Sequence, residues 1–174
     1  MPKLATGLSC AGCTACVNIC PKGCISITAD NDGFLYPTID EISCVNCDRC
    51  RQVCPVLREI VPAPEESIAY AAINTEDDIR QNSTSGGVFT CLGQWVLERG
   101  GVVFGSAYDD DFNVVHCPVE KIEDLQRLRG AKYVQSSLGD TYRRVQICLK
   151  EDRYVLFSGT PCQVGGLVSF LGKV

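Results

Sequence analysis

Eight cysteines in this chain are spaced for metal chemistry. Cys10-x2-Cys13-x2-Cys16-x3-Cys20 is followed by Pro21, and the pattern returns as Cys44-x2-Cys47-x2-Cys50-x3-Cys54, followed by Pro55. A 4Fe-4S cube needs four thiolates around a compact body, and two-residue gaps let one tight loop supply three of them. In paired loops of this kind the fourth cysteine points away and serves the other cluster. The spacing therefore assigns Cys10, Cys13, Cys16 and Cys54 to one cluster, and Cys44, Cys47, Cys50 and Cys20 to a second. Pro21 and Pro55 turn the chain after each crossed ligand. Zinc sites more usually take two separated cysteine pairs, and disulfides need an oxidising compartment. An odd total of 13 cysteines also excludes complete intrachain pairing. Cys24 lies outside the pattern and reads as a small buried residue beside a cluster.

The elements that must position these thiols form a small pseudo-symmetric domain over residues 1–57. Between the loops, Ile25–Thr28 and Phe34–Tyr36 are β-type runs joined by Asp32-Gly33, which predicts a hairpin. A linker over 58–66 follows, rich in Pro and Glu. Nine of the 13 cysteines precede it, so the metal chemistry belongs to one third of a 174-residue chain. The net charge of −5 without a long basic run excludes nucleic acid as the main partner. There is no leader-like apolar core at the start and no apolar run near the roughly 18 residues of a membrane span. A cytoplasmic location, where thiols stay reduced, is the expectation.

From 67 to 174 the texture is that of an α/β domain. Ile68–Ile73 reads as a strand, and a helix is predicted from Val88, with Val88, Leu92, Trp95 and Val96 on its apolar face and Gly100-Gly101 as the stop. Val102–Tyr108 and Asn113–Val119 read as strands around an Asp-rich turn, and Ile122, Leu125 and Leu128 as a short helix. Ser137–Asp140 has the form of an acidic capping box for a helix bearing Leu138, Tyr142, Val145 and Leu149. Tyr154–Phe157 reads as a buried strand, Ser158–Pro161 as a turn and Val164, Leu167, Val168 and Leu171 as a further helix. With no strand after that helix, the α/β domain is expected to be incomplete and the chain to be the front of a longer protein. The expected fold is thus an α+β dicluster ferredoxin-like domain followed by a partial α/β domain.

The order of these motifs resembles a known family. The double Cys-Pro loops, Asp32–Pro37, Ser85-Gly86-Gly87-Val88-Phe89, Leu128–Ser136 and Ser158–Leu167 with its Thr160-Pro161-Cys162-Gln163 core are similar to the coenzyme F420 hydrogenase/dehydrogenase beta-subunit family. The resemblance implies iron–sulfur clusters exchanging electrons with a bound FAD and a two-electron acceptor of deazaflavin type. It also implies a redox partner protein or other oxidoreductase subunits, and a C-terminal domain this sequence lacks, so that the stretch alone is not expected to be an active enzyme.

Within that resemblance, Ser85, Gly86 and Gly87 stand at a predicted helix start, where free N–H groups and the helix dipole favour a pyrophosphate. A polar cap with glycines for close packing reads the same residues equally well. Ser158, Gly159, Thr160, Pro161 and Gln163 lie between a strand and a helix, at the edge where α/β sheets place ligands. Lys132 is a candidate to balance phosphate or flavin charge, and Tyr133 and Gln135 either line the ring or pack a strand. For Cys162 three roles stand open: a redox thiol near the flavin, an additional cluster ligand, or packing. Cys91, Cys117 and Cys148 read as core cysteines and His116 as structural, which leaves no Ser-His-Asp or Cys-His set. The alternatives to a flavin-linked subunit are a ferredoxin-like carrier or docking module without its own flavin, and a zinc-stabilised interaction domain.

Overall fold

A computed structural model describes residues 1–58 and 68–172. Two compact units emerge: Met1–Pro62 with Gly159–Val174, and Ala63–Ser158. The predicted linker, beyond Arg58, lies outside the described residues.

The first unit begins with one cysteine loop and a short helix, α1 (Ala15–Ile19). A hairpin follows, β1 (Ile25–Ala29) against β2 (Leu35–Ile39), antiparallel with Ile25 opposite Ile39. Its turn is held by the Asp30 carboxylate, which accepts the N–H groups of Asp32 and Phe34 at 3.0 and 2.9 Å, with Gly33 at φ +88°. The second loop then leads into α2 (Arg49–Gln52), which packs on α1. The apolar centre is built largely of sulfur: Cys20, Cys24, Ile25 and Cys50 are buried together, with Leu4, Val17, Ile19 and Ile39 against them. So small an aliphatic core leaves much of the folding energy to whatever the thiols bind.

The second unit holds α3 (Asp77–Gln81), α4 (Val88–Leu97), β3 (Val102–Tyr108), β4 (Val114–Val119), a 3-10 helix (Ile122–Leu128), α5 (Thr141–Lys150) and β5 (Val155–Phe157). Its sheet runs β4-β3-β5, with β3 antiparallel to β4 and parallel to β5. The core joins Val96 and Leu97 of α4 to Val103, Ala107 and Val119 of the sheet and Leu125 and Leu128 of the 3-10 helix. The described residues are thus mixed helix and strand with two small sheets, in keeping with an α+β class; the expected α/β pattern resolves into a mixed sheet.

Four local expectations fail here, each for a physical reason. Ile68–Ile73 forms no strand, and Ile68, Tyr70 and Ile73 are exposed, because an alternating run is a strand only where a neighbour takes its backbone hydrogen bonds. In α4 the buried positions are Thr90, Gly93, Val96 and Leu97, while Val88, Leu92 and Trp95 face outward. A Cβ on Gly93 would stand 2.8 Å from both Leu125 methyls, so the smallest residue, not the most apolar face, sets the contact. The same rotation exposes Cys91, which is not a core residue. Finally, α5 starts at Thr141 rather than at Ser137, since Ser137 bonds to β4 on both sides: its N–H donates to Val114 O and its carbonyl accepts from His116, each at 2.8 Å.

The last element, α6 (Pro161–Leu171), belongs to the first unit. A capping box fixes its start, with the Thr160 N–H donating to Gln163 Oε1 at 2.9 Å. It packs on α1 and buries Gln163, Gly166, Leu167, Ser169 and Phe170. Local periodicity places Gly159 onward with the preceding strands; tertiary packing groups it with the cysteine loops.

Candidate metal centre

The two loops share a backbone conformation that their sequences only partly announce. Gly12 and Thr14, flanking Cys13, have φ +66° and +56°; Asn46 and Asp48, flanking Cys47, have φ +53° and +59°. Left-handed residues on both sides of the second cysteine curl each loop tightly. Gly, Asn and Asp tolerate this region, but a β-branched Thr is a true outlier, a strain that persists where a site over-determines it. Thr14 and Asp48 then cap α1 and α2, so each helix starts directly after its loop's second thiol. Backbone donors reach the sulfurs: Gly12 N–H lies 3.5 Å from Cys10 Sγ, and hydrogen bonds with the backbone of Ala15, Val17 and Arg51 favour the thiolates of Cys13, Cys16 and Cys50.

The thiols fall into two sets. Burial pushes Cys16 up to about 12, and the neighbouring Cys13, Cys10 and Cys54 push in the same direction. Cys13 is raised by burial as well, with contributions from Cys54, Cys10 and Cys162. Cys54, from the second loop, thus stands with the three cysteines of the first. Cys20, from the first loop, lines an open pocket with Cys44, Cys47 and Cys50 of the second, and with Cys24. Burial raises the Cys50 thiol, helped by the charges of Asp48 and Cys47. The Cys20 and Cys24 sulfurs are 3.4 Å apart. Burial pushes Cys20 up, but backbone and side-chain hydrogen bonds from Cys24, with the amides of Lys22 and Gly23, carry it below the usual thiol range; the bond to Cys20 takes Cys24 up to about 11. Either sulfur of this pair can donate in the contact. Among the described residues no three His, Cys, Asp or Glu side chains close to the spacing of a single-ion site.

Cys13 and Cys16, whose ionisation is opposed by burial and by the thiols around them, call for a cationic centre: binding a metal releases their protons and cancels the repulsion. The residues fit two 4Fe-4S groups. Eight thiols are divided four and four, amides are directed at the sulfurs, and Thr14 Oγ1 is buried without a hydrogen-bond partner, beside Cys13, where a sulfide could accept its proton. Residues 9–57 match the family model of the 4Fe-4S dicluster domain. That match spans all eight spaced cysteines and Cys24, and the dicluster domain places iron–sulfur electron transfer in the N-terminal third. No curated protein matches the chain. Among the described residues no helix is long and apolar enough to cross a membrane.

Outside the dicluster domain, several of the flavin candidates are engaged by the protein itself. Lys132 Nζ donates to the carbonyls of Arg127 and Arg129 at 3.2 and 2.8 Å, closing the 3-10 helix, and Gln163 serves the capping box. Gly86 approaches the Ala72 carbonyl so closely that a Cβ would stand 2.5 Å from it, and Gly87 caps α4 at φ +73°. Ser85, Ser158, Gly159, Thr160 and Pro161 are exposed, as are Tyr133 and Gln135. The Ser158 carbonyl accepts a hydrogen bond from His116 Nε2 at 3.0 Å, and His116 Nδ1 meets Ser136 Oγ at 2.9 Å. Phe157 stacks on the His116 ring with the centroids 5.3 Å apart.

Sequence reasoning overlooked Thr14, Asn46 and Asp48. Their signal was present: each sits beside the second cysteine of a motif, and Asn and Asp favour the left-handed region.

Proposed function

We propose that this chain is an iron–sulfur electron-transfer component, with Cys10, Cys13, Cys16 and Cys54 holding one 4Fe-4S cluster and Cys20, Cys44, Cys47 and Cys50 the other. The observation that carries this is the gathering of Cys54 with the first loop's thiols and of Cys20 with the second's. When bound, each cluster takes up and releases one electron. The protein supplies anionic ligands, excludes water with the buried Cys13, Cys20 and Cys50, and directs amides at sulfur, which favours the more negative state.

The finer reading is a subunit of a flavin-dependent oxidoreductase of the coenzyme F420 beta-subunit type. It would use FAD, a two-electron acceptor of deazaflavin class and a redox partner protein or companion subunits. The order of the motifs at Ser85–Phe89, Leu128–Ser136 and Ser158–Leu167 supports it. The internal use of Lys132 and Gln163 favours the second reading, a carrier without its own flavin.

One anaerobic purification separates these. About eight irons and eight sulfides with a flavin spectrum supports the finer reading, and the same iron without flavin supports the carrier. Zinc in place of iron refutes the cluster assignment altogether.

A further inference from the structure

The two cysteine loops correspond position for position, yet the place after the second cysteine is filled differently in each. Thr14 follows Cys13 and Asp48 follows Cys47, both in the left-handed region at φ +56° and +59°. Asp48 is half-exposed, and its Oδ2 pairs with Arg51 Nη1 at 3.5 Å. Thr14 adjoins the buried Cys13, and its Oγ1 is closed off from solvent with no hydrogen-bond partner among the described residues. A threonine at a helix start ordinarily uses its hydroxyl to accept an amide of the first turn, and Thr14 makes no such bond. Its carbonyl is fully engaged instead, accepting from the Val17 and Asn18 N–H groups at 3.1 Å each and from Asn18 Nδ2 at 3.3 Å.

Both features are costly. A β-branched residue at positive φ is strained, and asparagine or aspartate, as in the second loop, makes the same turn with less strain. A buried hydroxyl without a partner forfeits its bonds to water. What threonine adds at this position is therefore its side chain, and the polar half of that side chain has no partner within the described protein.

We propose that the Thr14 hydroxyl donates to a sulfur of the cluster held by Cys10, Cys13, Cys16 and Cys54 and so raises the reduction potential of that cluster. This rests on the iron–sulfur reading above. A donor directed at sulfur stabilises the negative charge that reduction adds, and away from water the bond is stronger. The carboxylate of Asp48 is an acceptor only and is engaged by Arg51, so the second loop supplies no such donor at the matching position.

The test uses the full chain, reconstituted anaerobically with iron and sulfide. Iron is counted, and each paramagnetic signal is followed through a potentiometric titration. The signal belonging to the first cluster is identified as the one altered in Cys13→Ser but not in Cys47→Ser. Thr14→Val keeps the branched shape and removes only the hydroxyl. It should keep about eight irons and lower the midpoint of the first signal alone, by up to about 59 mV, equal to a tenfold change in the one-electron reduction equilibrium. Thr14→Ser, which keeps the hydroxyl and drops the methyl, should stay near the wild-type midpoint. An unchanged first midpoint in Thr14→Val overturns the proposal, and so does an equal shift of both signals, which a general change in the fold would give. Equal shifts in Thr14→Val and Thr14→Ser also overturn it, because they would trace the effect to packing of the methyl group. Loss of first-cluster iron from Thr14→Val does the same, since the hydroxyl would then hold the cluster rather than tune it. A wild-type chain that takes up no iron overturns the iron–sulfur reading itself, and with it this one.

Discussion

Replacing Cys54 by serine tests the crossed arrangement most directly. Cys54 ends the second motif, so a reading of the sequence as two independent loops makes it a ligand of the second cluster. In the folded chain its thiol acts on Cys13 and Cys16, while the second set keeps Cys44, Cys47 and Cys50 and receives Cys20. The variant should therefore damage the cluster that Cys13→Ser damages. Three thiolates remain at the first site, so iron falls from about eight to about seven if a three-iron group survives, and to about four if the site empties. The second site retains all four thiolates, so its signal should keep its amplitude and midpoint. The assay is iron and sulfide quantification with paramagnetic resonance of the dithionite-reduced protein, alongside Cys13→Ser and Cys47→Ser. If Cys54→Ser altered the signal lost in Cys47→Ser, the crossing would be refuted, even with the iron total as expected.

Cys24→Ala should keep about eight irons and shift the midpoint of the second signal only, because the Cys20 sulfur loses its hydrogen-bond partner 3.4 Å away; loss of iron would make Cys24 a ligand. Gly93→Ala sets a Cβ 2.8 Å from Leu125. Overpacking costs about 1–3 kcal/mol and the helical gain of alanine is about 0.5–1 kcal/mol. A net loss near 1 kcal/mol, read from denaturant midpoints, is expected, and a stabilised variant would contradict the packing described. His116 has its pKa lowered by burial. The unfolded chain thus binds its proton more readily, so the stability due to neutral His116 is complete above about pH 6.5 and declines as pH falls below it. Thermal midpoints from pH 7.5 to 5.5 should drop more steeply for the wild type than for His116→Gln, and parallel slopes would show that His116 is not the titrating group.

What the sequence discloses is divided along a physical line. Ligand spacing is legible because three thiolates around one cube dictate short gaps, so both motifs announce their chemistry without help from the fold. The hairpin is legible for a similar reason: Asp30 and Gly33 determine their turn locally. Contacts made at a distance are not legible. The outward turn of Leu92 and Trp95 depends on Leu125 meeting Gly93. The late start of α5 depends on Ser137 bonding to β4, and the absence of a strand at Ile68–Ile73 on the lack of a ladder partner. At the site itself, the second-set neighbour Cys24 could be inferred from its position four residues after Cys20, whereas the packing of α6 on α1 could not.

The discontinuous make-up of the cysteine unit has a bearing on how the protein is made. Both loops leave the ribosome long before α6, and at about 5–20 residues per second the intervening chain takes several seconds to appear. During that interval Cys10, Cys13 and Cys16 have Cys54 available but not the helix that lies on α1. Iron delivered early would enter a site still open on that side, and iron delivered after release would meet it covered. The order of translation and cofactor loading thus becomes a variable in the yield of holoprotein, set by where a single helix falls in the chain.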